Sequence, residues 1–141
     1  MRTLQEIGEL IRTQDNRITD QPMFIVQEKV RIYGFDPLYA DDYEWVDEGG
    51  ELAEPEQVVE LEKGAAEGLL ITNWVKTYYR ERWDFVTACF TEQGCEDYLA
   101  ENGHNHGETR IYVESACYNH EYQTVRKALM AYAEIPEEVT A

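Results

Sequence analysis

The sequence is poor in several features that mark particular classes of protein. It has only 3 cysteines and 4 prolines in 141 residues, and no apolar run approaches the roughly 20 residues that cross a bilayer. Its first residues lack the apolar core of a signal peptide. Three cysteines, at 89, 95 and 117, cannot form a disulfide framework. These features exclude a disulfide-stapled scaffold and a helical membrane protein, and we expect a soluble cytoplasmic protein.

Basic residues are also scarce, with 12 Lys and Arg against 29 Asp and Glu, so the formal net charge is −17. Residues 1–33 are neutral, residues 34–68 carry one basic and twelve acidic groups, and residues 69–141 carry six and twelve. Such a field repels nucleic acid and anionic membranes, whereas it attracts basic surfaces. The charge therefore predicts a basic protein partner and neither direct nucleic-acid binding nor membrane binding.

The length and composition predict one domain. A chain of this size buries roughly two thirds of the surface that it exposes when unfolded. Hydrophobic residues make up 43% of the sequence, which is typical of a folded protein. We expect a single domain over residues 1–141 with an acidic loop at about 36–56, in which the segment EGGELAEPE is mobile.

Four segments have helical character. Thr3 and Glu6 are spaced as a capping box before an amphipathic run, and Pro55 precedes a run that ends at Gly68. Thr91 is a predicted N-cap for a helix that a left-handed Gly103 ends, and Asn119 caps the last helix. The predicted apolar stripes are Val58, Val59 and Leu61 in the second helix and Tyr122, Val125, Leu129 and Tyr132 in the last.

Alternating apolar and polar residues predict strands at 23–33, 43–47 and 109–117, together with one long strand or a bent pair within 71–90. Strands and helices of unequal spacing indicate an α+β fold. We therefore predict a mostly antiparallel sheet of about four strands with helices packed on one face.

The stretch GHNHGETRIYVESACYNHEY contains all three histidines of the chain. Structural zinc draws its ligands from closely spaced pairs, and no two cysteines are so spaced here. A Cys117–His120 nucleophile pair is possible, but no orienting group or oxyanion donor is evident. We predict no metal, cofactor or catalytic residue, and keep as an alternative a small metal-binding or hydrolytic enzyme that uses His104, His106, Cys117 and His120.

Nine carboxylates and three aromatic residues lie between residues 36 and 56 without a basic residue among them. Aromatic anchors within charge of one sign are typical of protein-binding surfaces. A second alternative is a nucleotide-type ligand pocket lined by the tyrosines and tryptophans of the predicted strands. The predicted partner-binding residues are Asp36, Tyr39, Asp41, Asp42, Tyr43, Glu44, Trp45, Asp47, Glu48, Glu51, Glu54 and Glu56.

Three stretches, RIYGFDPLYADDYEWVD, YRERWDFVTACFTEQGCEDYLAENGHN and RIYVESACYNHEYQTVRKALM, resemble a family of small uncharacterised proteins of tailed bacteriophages and prophages. The resemblance rests on a helix that opens with Phe, Thr and Glu at 90–92, a Gly-His-Asn turn at 103–105 and an Arg-started strand at 110–115. It covers nearly half of the chain. His106 departs from the family pattern, which has an apolar residue there.

The resemblance implies an accessory phage protein that acts in the cytoplasm of the bacterial host. Together with the charge, it predicts a non-enzymatic protein that binds and inhibits a host protein by electrostatic competition. A nucleic-acid-binding or defence component, such as a CRISPR effector, is the expected target.

Overall fold

The structure is a computed structural model that describes residues 1–135. Within them lie four helices, four strands and two short 3₁₀ turns. The helices are α1 (Leu4–Thr13), α2 (Pro55–Ala66), α3 (Glu92–Asn102) and α4 (His120–Ala133). The strands are β1 (Pro22–Tyr33), β2 (Asp42–Asp47), β3 (Trp74–Cys89) and β4 (Thr109–Ser115), and the 3₁₀ turns span Pro37–Tyr39 and Gly103–Asn105.

The four strands form one antiparallel sheet in the order β2-β3-β1-β4, which confirms the predicted α+β fold. The region read as a long strand or a bent pair is the single 16-residue strand β3. Strand β2 lies at one edge of the sheet and β4 at the other. The paired residues run from Pro22 and Ser115 to Glu28 and Thr109 between β1 and β4, and from Asp42 and Tyr79 to Asp47 and Trp74 between β2 and β3.

The chain divides into two compact units. The central unit is Val30–Arg82, and the terminal unit comprises residues 1–29 and the chain from residue 83 onward. The division falls within β1 and β3 and not at a linker. The single domain over residues 1–141 stays a prediction.

The core of the terminal unit contains side chains from one face of the sheet and from α3. Phe24, Val26 and Cys95 are fully buried, and apolar residues of β3, β4 and α3 pack around them. Phe24 and Val26 are two residues apart, so the alternation of the strand puts both on the same face. Burying a side chain of this size contributes about 1.5–3 kcal/mol. This cluster therefore contributes substantially to the stability of the unit.

Helices α1 and α4 approach each other closely at Gly8. A Cβ on Gly8 would lie 2.0 Å from the carbonyl oxygen of Leu129, so only glycine allows this contact. Ile11 and Leu129 are buried. The predicted α4 stripe is wrong at Val125 and Tyr132, which are each 48% exposed, because the helix turns Arg126 inward instead.

The predicted N-caps are confirmed. The Thr3 hydroxyl accepts a hydrogen bond from Glu6 N, the Thr91 hydroxyl from Gly94 N and the Asn119 side chain from Tyr122 N. The predicted left-handed Gly103 is wrong, because its φ is −57° and a 3₁₀ turn continues the chain beyond α3. In residues 1–135, no helix is long and apolar enough to span a membrane.

Candidate functional site

Strand β2 presents two different surfaces. Tyr43 and Trp45 point toward α2, while Glu44 on the opposite face pairs with Arg31 and accepts a 2.9 Å hydrogen bond from the Tyr33 hydroxyl. The alternation of a strand causes this separation. The Glu44 carboxylate therefore lies on the face opposite the rings of Tyr43 and Trp45, although the three residues are neighbours in the sequence.

Glu62 on α2 holds the aromatic face together. One of its carboxylate oxygens, Oε1, accepts hydrogen bonds from the Tyr43 hydroxyl and, at 2.8 Å, from Trp45 Nε1. The bond to Glu62 raises the pKa of Tyr43 to about 12, and the two donors lower the pKa of Glu62. Lys76 places its Nζ 4.6 Å from the Tyr43 ring centroid and 5.4 Å from that of Trp45. Glu62 is thus kept anionic beside two aromatic rings.

A groove of about 350 Å³ lies between β2 and α2. Among the described residues that line it, none is Lys or Arg, and four present large apolar or aromatic side chains. Such a lining accommodates an apolar stem that ends in a positive charge. The lining residues are Asp42, Tyr43, Glu44, Trp45, Leu52, Ala53, Val58 and Glu62.

Several predicted carboxylates serve the local backbone. Asp36 caps the first 3₁₀ turn, Asp41 accepts from Glu81 N at 2.8 Å, and Asp42 accepts from Tyr43 N at 2.8 Å. Asp47 Oδ1 accepts from the backbone N–H groups of residues 49 and 51, and Glu54 forms the capping box of α2 with Gln57. These contacts do not remove the charge, but they hold it in place.

The segment between β2 and α2 is a turn with defined hydrogen bonds, and its predicted mobility stays a prediction. Asp47 N donates to the Glu51 carbonyl, Ala53 N donates to the Trp45 carbonyl, and Leu52 bridges to β2. The acidic stretch 36–56 is therefore a 3₁₀ turn, an edge strand, a tight turn and a helix start, and not one loop.

The predicted aromatic anchors have unequal exposure. Trp45 is 6% exposed and Tyr43 is half-buried. Both were predicted to be anchors for a partner, but the polar atom of each side chain is hydrogen-bonded to Glu62. Tyr39 is exposed, as an anchor requires. The carboxylates of Glu48, Glu51 and Glu56 are exposed and have no hydrogen-bond or ion-pair partner within residues 1–135.

The structure leaves seven large apolar side chains of the central unit more than half exposed, of which only Tyr39 was a predicted partner-binding residue. Helix α2 has no buried residue, and its Val59, predicted to be part of the apolar stripe, is 68% exposed while Val58 and Leu61 are half-buried. Glu62 was also missed, although it follows Val58 by four residues and so shares its helix face. The exposed set, which we call the apolar surface, is Leu38, Tyr39, Leu52, Val59, Leu69, Leu70 and Val75.

The residues of the enzyme alternative have separate surroundings. His106 Nδ1 lies 3.2 Å from Glu28 Oε2, and its Nε2 lies 2.9 Å from the Tyr98 hydroxyl, so each ring nitrogen has a hydrogen-bond partner. In contrast, His104, Cys117 and His120 are exposed. Within residues 1–135, no three His, Cys, Asp or Glu side chains are grouped so that they could hold a metal ion. The geometry of His106 is that of a hydrogen-bonded structural side chain that ties β1 to the turn after α3.

Comparison of the chain with protein-family models finds no match, and comparisons with curated proteins and with solved structures find none either. The site must therefore be interpreted from its own chemistry.

Proposed function

We propose that this chain is a phage-encoded protein that binds and inhibits a host protein with a basic surface, in the host cytoplasm, and that the central unit is the binding module. The observation that carries the proposal is the apolar surface, whose side chains are exposed in the acidic central unit. Exposed apolar side chains surrounded by charge of one sign are typical of interaction sites.

The charge of the central unit supports this partner. Val30–Arg82 carries 13 acidic and 5 basic side chains, a net charge of −8. The unpartnered carboxylates of Glu48, Glu51 and Glu56 lie on the turn and the first residues of α2. Such a field accelerates encounter with a positive surface and has little effect on neutral partners.

The groove between β2 and α2 suits a lysine or arginine side chain of the partner. Tyr43, Trp45, Leu52 and Val58 would contact the aliphatic stem, and the anionic Glu62 would face the cationic head. The same rings already accept the ammonium group of Lys76, which is not among the lining residues of the groove. A nucleic-acid-binding groove on the host protein would be blocked when its basic residues dock here. A component of a defence system, such as a CRISPR effector, would be inhibited in this way.

The test begins with affinity capture from a bacterial host lysate and continues with the captured partner in purified form. We expect its affinity to fall at least roughly tenfold between 50 and 200 mM salt. The triple variant E48K/E51K/E56K should weaken binding by a similar factor. The control E96K/E101K/E114K changes the net charge equally but on exposed residues of the terminal unit.

Binding that is insensitive to salt, or equal losses from the two triple variants, would contradict the proposal. A partner that binds the central unit only through the apolar surface would show this pattern, since apolar contacts respond weakly to salt.

A small cationic ligand is a second candidate, because the groove has a volume of about 350 Å³ and an anionic group in its wall. A nucleotide fits less well, since no lysine or arginine lines the groove to pair with phosphate. A thermal-shift screen of polyamines against nucleotides separates the two, because a ligand that binds the folded state raises the melting temperature.

A further inference from the structure

Two cysteines meet in the core of the terminal unit. Cys89 ends β3, and Cys95 lies in the first turn of α3. Cys95 is fully buried, and the half-buried Cys89 packs against the cluster that contains it and forms a side-chain hydrogen bond with Cys95. A Cβ on Gly94 would lie 3.1 Å from Cys89 Cβ and 3.3 Å from its Sγ, so the first turn of α3 sits directly on Cys89. The fold therefore brings together two thiols that are six positions apart in the chain.

The two thiols differ in acidity. A hydrogen bond from Cys95 lowers the pKa of Cys89 to about 7, and the same interaction together with burial raises the pKa of Cys95. Thiolate is the reactive form of cysteine. At neutral pH, Cys89 is therefore the nucleophile, and Cys95 is the proton-bearing neighbour. Accessibility agrees with this assignment, because Cys89 is the partly exposed member of the pair and Cys95 is buried.

We propose that Cys89 and Cys95 form a dithiol modification site that hydrogen peroxide converts to an intramolecular disulfide. This inference does not depend on the proposed function. All the residues that carry it belong to the terminal unit.

The reaction has two steps. The Cys89 thiolate attacks one peroxide oxygen, so that an S–O bond forms, the O–O bond breaks and hydroxide leaves to be protonated to water. The sulfur is oxidised to a sulfenic acid, and the peroxide is reduced. Cys95 sulfur then attacks Cys89 Sγ, the S–S bond forms, the S–O bond breaks, and the hydroxyl group leaves as water with the Cys95 proton. Two thiols and one peroxide thus give one disulfide and two waters.

Cys117 provides a control within the same chain, because it is exposed and lies outside this pair. The experiment treats the folded protein with peroxide, removes the excess, denatures it and counts alkylated cysteines by mass spectrometry. The wild-type protein has three cysteines, and we expect it to lose two labels together. The C117S variant should lose both of its labels, and dithiothreitol should restore them. In C95S, Cys89 should be trapped by dimedone as a sulfenic acid.

Retention of both labels in C117S, at a peroxide concentration that oxidises Cys117 in the wild-type protein, would overturn the proposal. Oxidation that dithiothreitol does not reverse, or disulfides that form only between chains, would overturn it as well. The wild-type and C117S proteins decide the question even if C95S fails to fold, since both retain the core pair.

Discussion

Within residues 1–135, seven of the nine buried apolar side chains lie in the terminal unit, and two, Trp45 and Tyr79, lie in the central unit. The charge shows the opposite distribution. The central unit carries a net charge of −8 in 53 residues, whereas the described part of the terminal unit has 14 acidic and 7 basic groups, or −7, in 82 residues.

The two units thus differ in where their buried apolar side chains and their negative charge are concentrated. The terminal unit contains most of the buried apolar side chains, although it also exposes others such as Phe85 and Tyr118. The central unit leaves Val59, Leu70 and other apolar groups in solvent, and it fixes its only buried tryptophan among the described residues through the hydrogen bond to Glu62. A surface that is left apolar and acidic is available to a partner.

The largest expected effect of a substitution is in the terminal core. Phe24→Ala should lower the free energy of unfolding by about 3–5 kcal/mol, because it removes a fully buried ring at the centre of the cluster. Val59→Ala in the central unit should change it by no more than about 0.5 kcal/mol, because that side chain is exposed. Urea unfolding measures both. If both variants lost the same free energy of unfolding, the stability of the protein would not depend more on the terminal core than on the exposed side chains of the central unit.

A smaller effect is expected where α1 meets α4. Alanine at an ordinary helix position is about 1 kcal/mol better than glycine. Gly8→Ala should nevertheless destabilise the protein by about 1–3 kcal/mol, since its methyl group would overlap the Leu129 carbonyl. Gly103→Ala is the matched control, because no atom lies within 4 Å of its Cβ position. A stabilising Gly8→Ala in thermal unfolding would show that the helices separate easily.

The N-cap of α3 should contribute less to the free energy of unfolding than the contact at Gly8. Thr91 is buried, and its hydroxyl accepts from Gly94 N at 2.9 Å, so Thr91→Ala should cost about 1 kcal/mol. Thr91→Ser keeps the oxygen and should recover most of this stability in the same urea titration. If serine and alanine behave alike, the methyl group and not the cap is what stabilises the helix.

In the central unit, the expected effect is a shift in titration. The hydrogen bond to Glu62 raises the pKa of Tyr43 from 10.0 to about 12. The contribution of this hydrogen bond to the stability of the fold is therefore fully present below pH 10 and is lost as pH rises through about 12. Glu62→Gln should return the pKa of Tyr43 toward its ordinary value, because the anionic acceptor is gone. Tyrosinate absorbance, taken as the difference from Tyr43→Phe, measures the shift. A wild-type Tyr43 that titrates near 10 would contradict the Glu62 contact.

Much of the architecture was predictable because local rules decide it. Thr3, Thr91 and Asn119 cap helices through contacts within four residues, and alternation identified all four strands. The α4 stripe was wrong at Val125 and Tyr132 because periodicity identifies a face but not the neighbour that covers it. Arg126 took an inward position that no local pattern marks.

The site was less predictable for the same reason. Asp42, Glu44 and Trp45 are neighbours in the sequence, but the sheet separates the acids from the tryptophan, and Glu62 reaches Trp45 from a helix 17 positions away. Similarly, Cys89 and Cys95 gave no spacing signal for a shared site.

The sequence by itself determined the helices, the strands, the α+β class and the excess of negative charge, because these depend on side-chain chemistry and on spacing within a few residues. Only the tertiary structure decided which apolar groups stay in solvent, which carboxylates hold the backbone and which two thiols meet. Those outcomes depend on pairing between distant segments, and the energies of burial and of hydrogen bonding arise only when those segments come into contact.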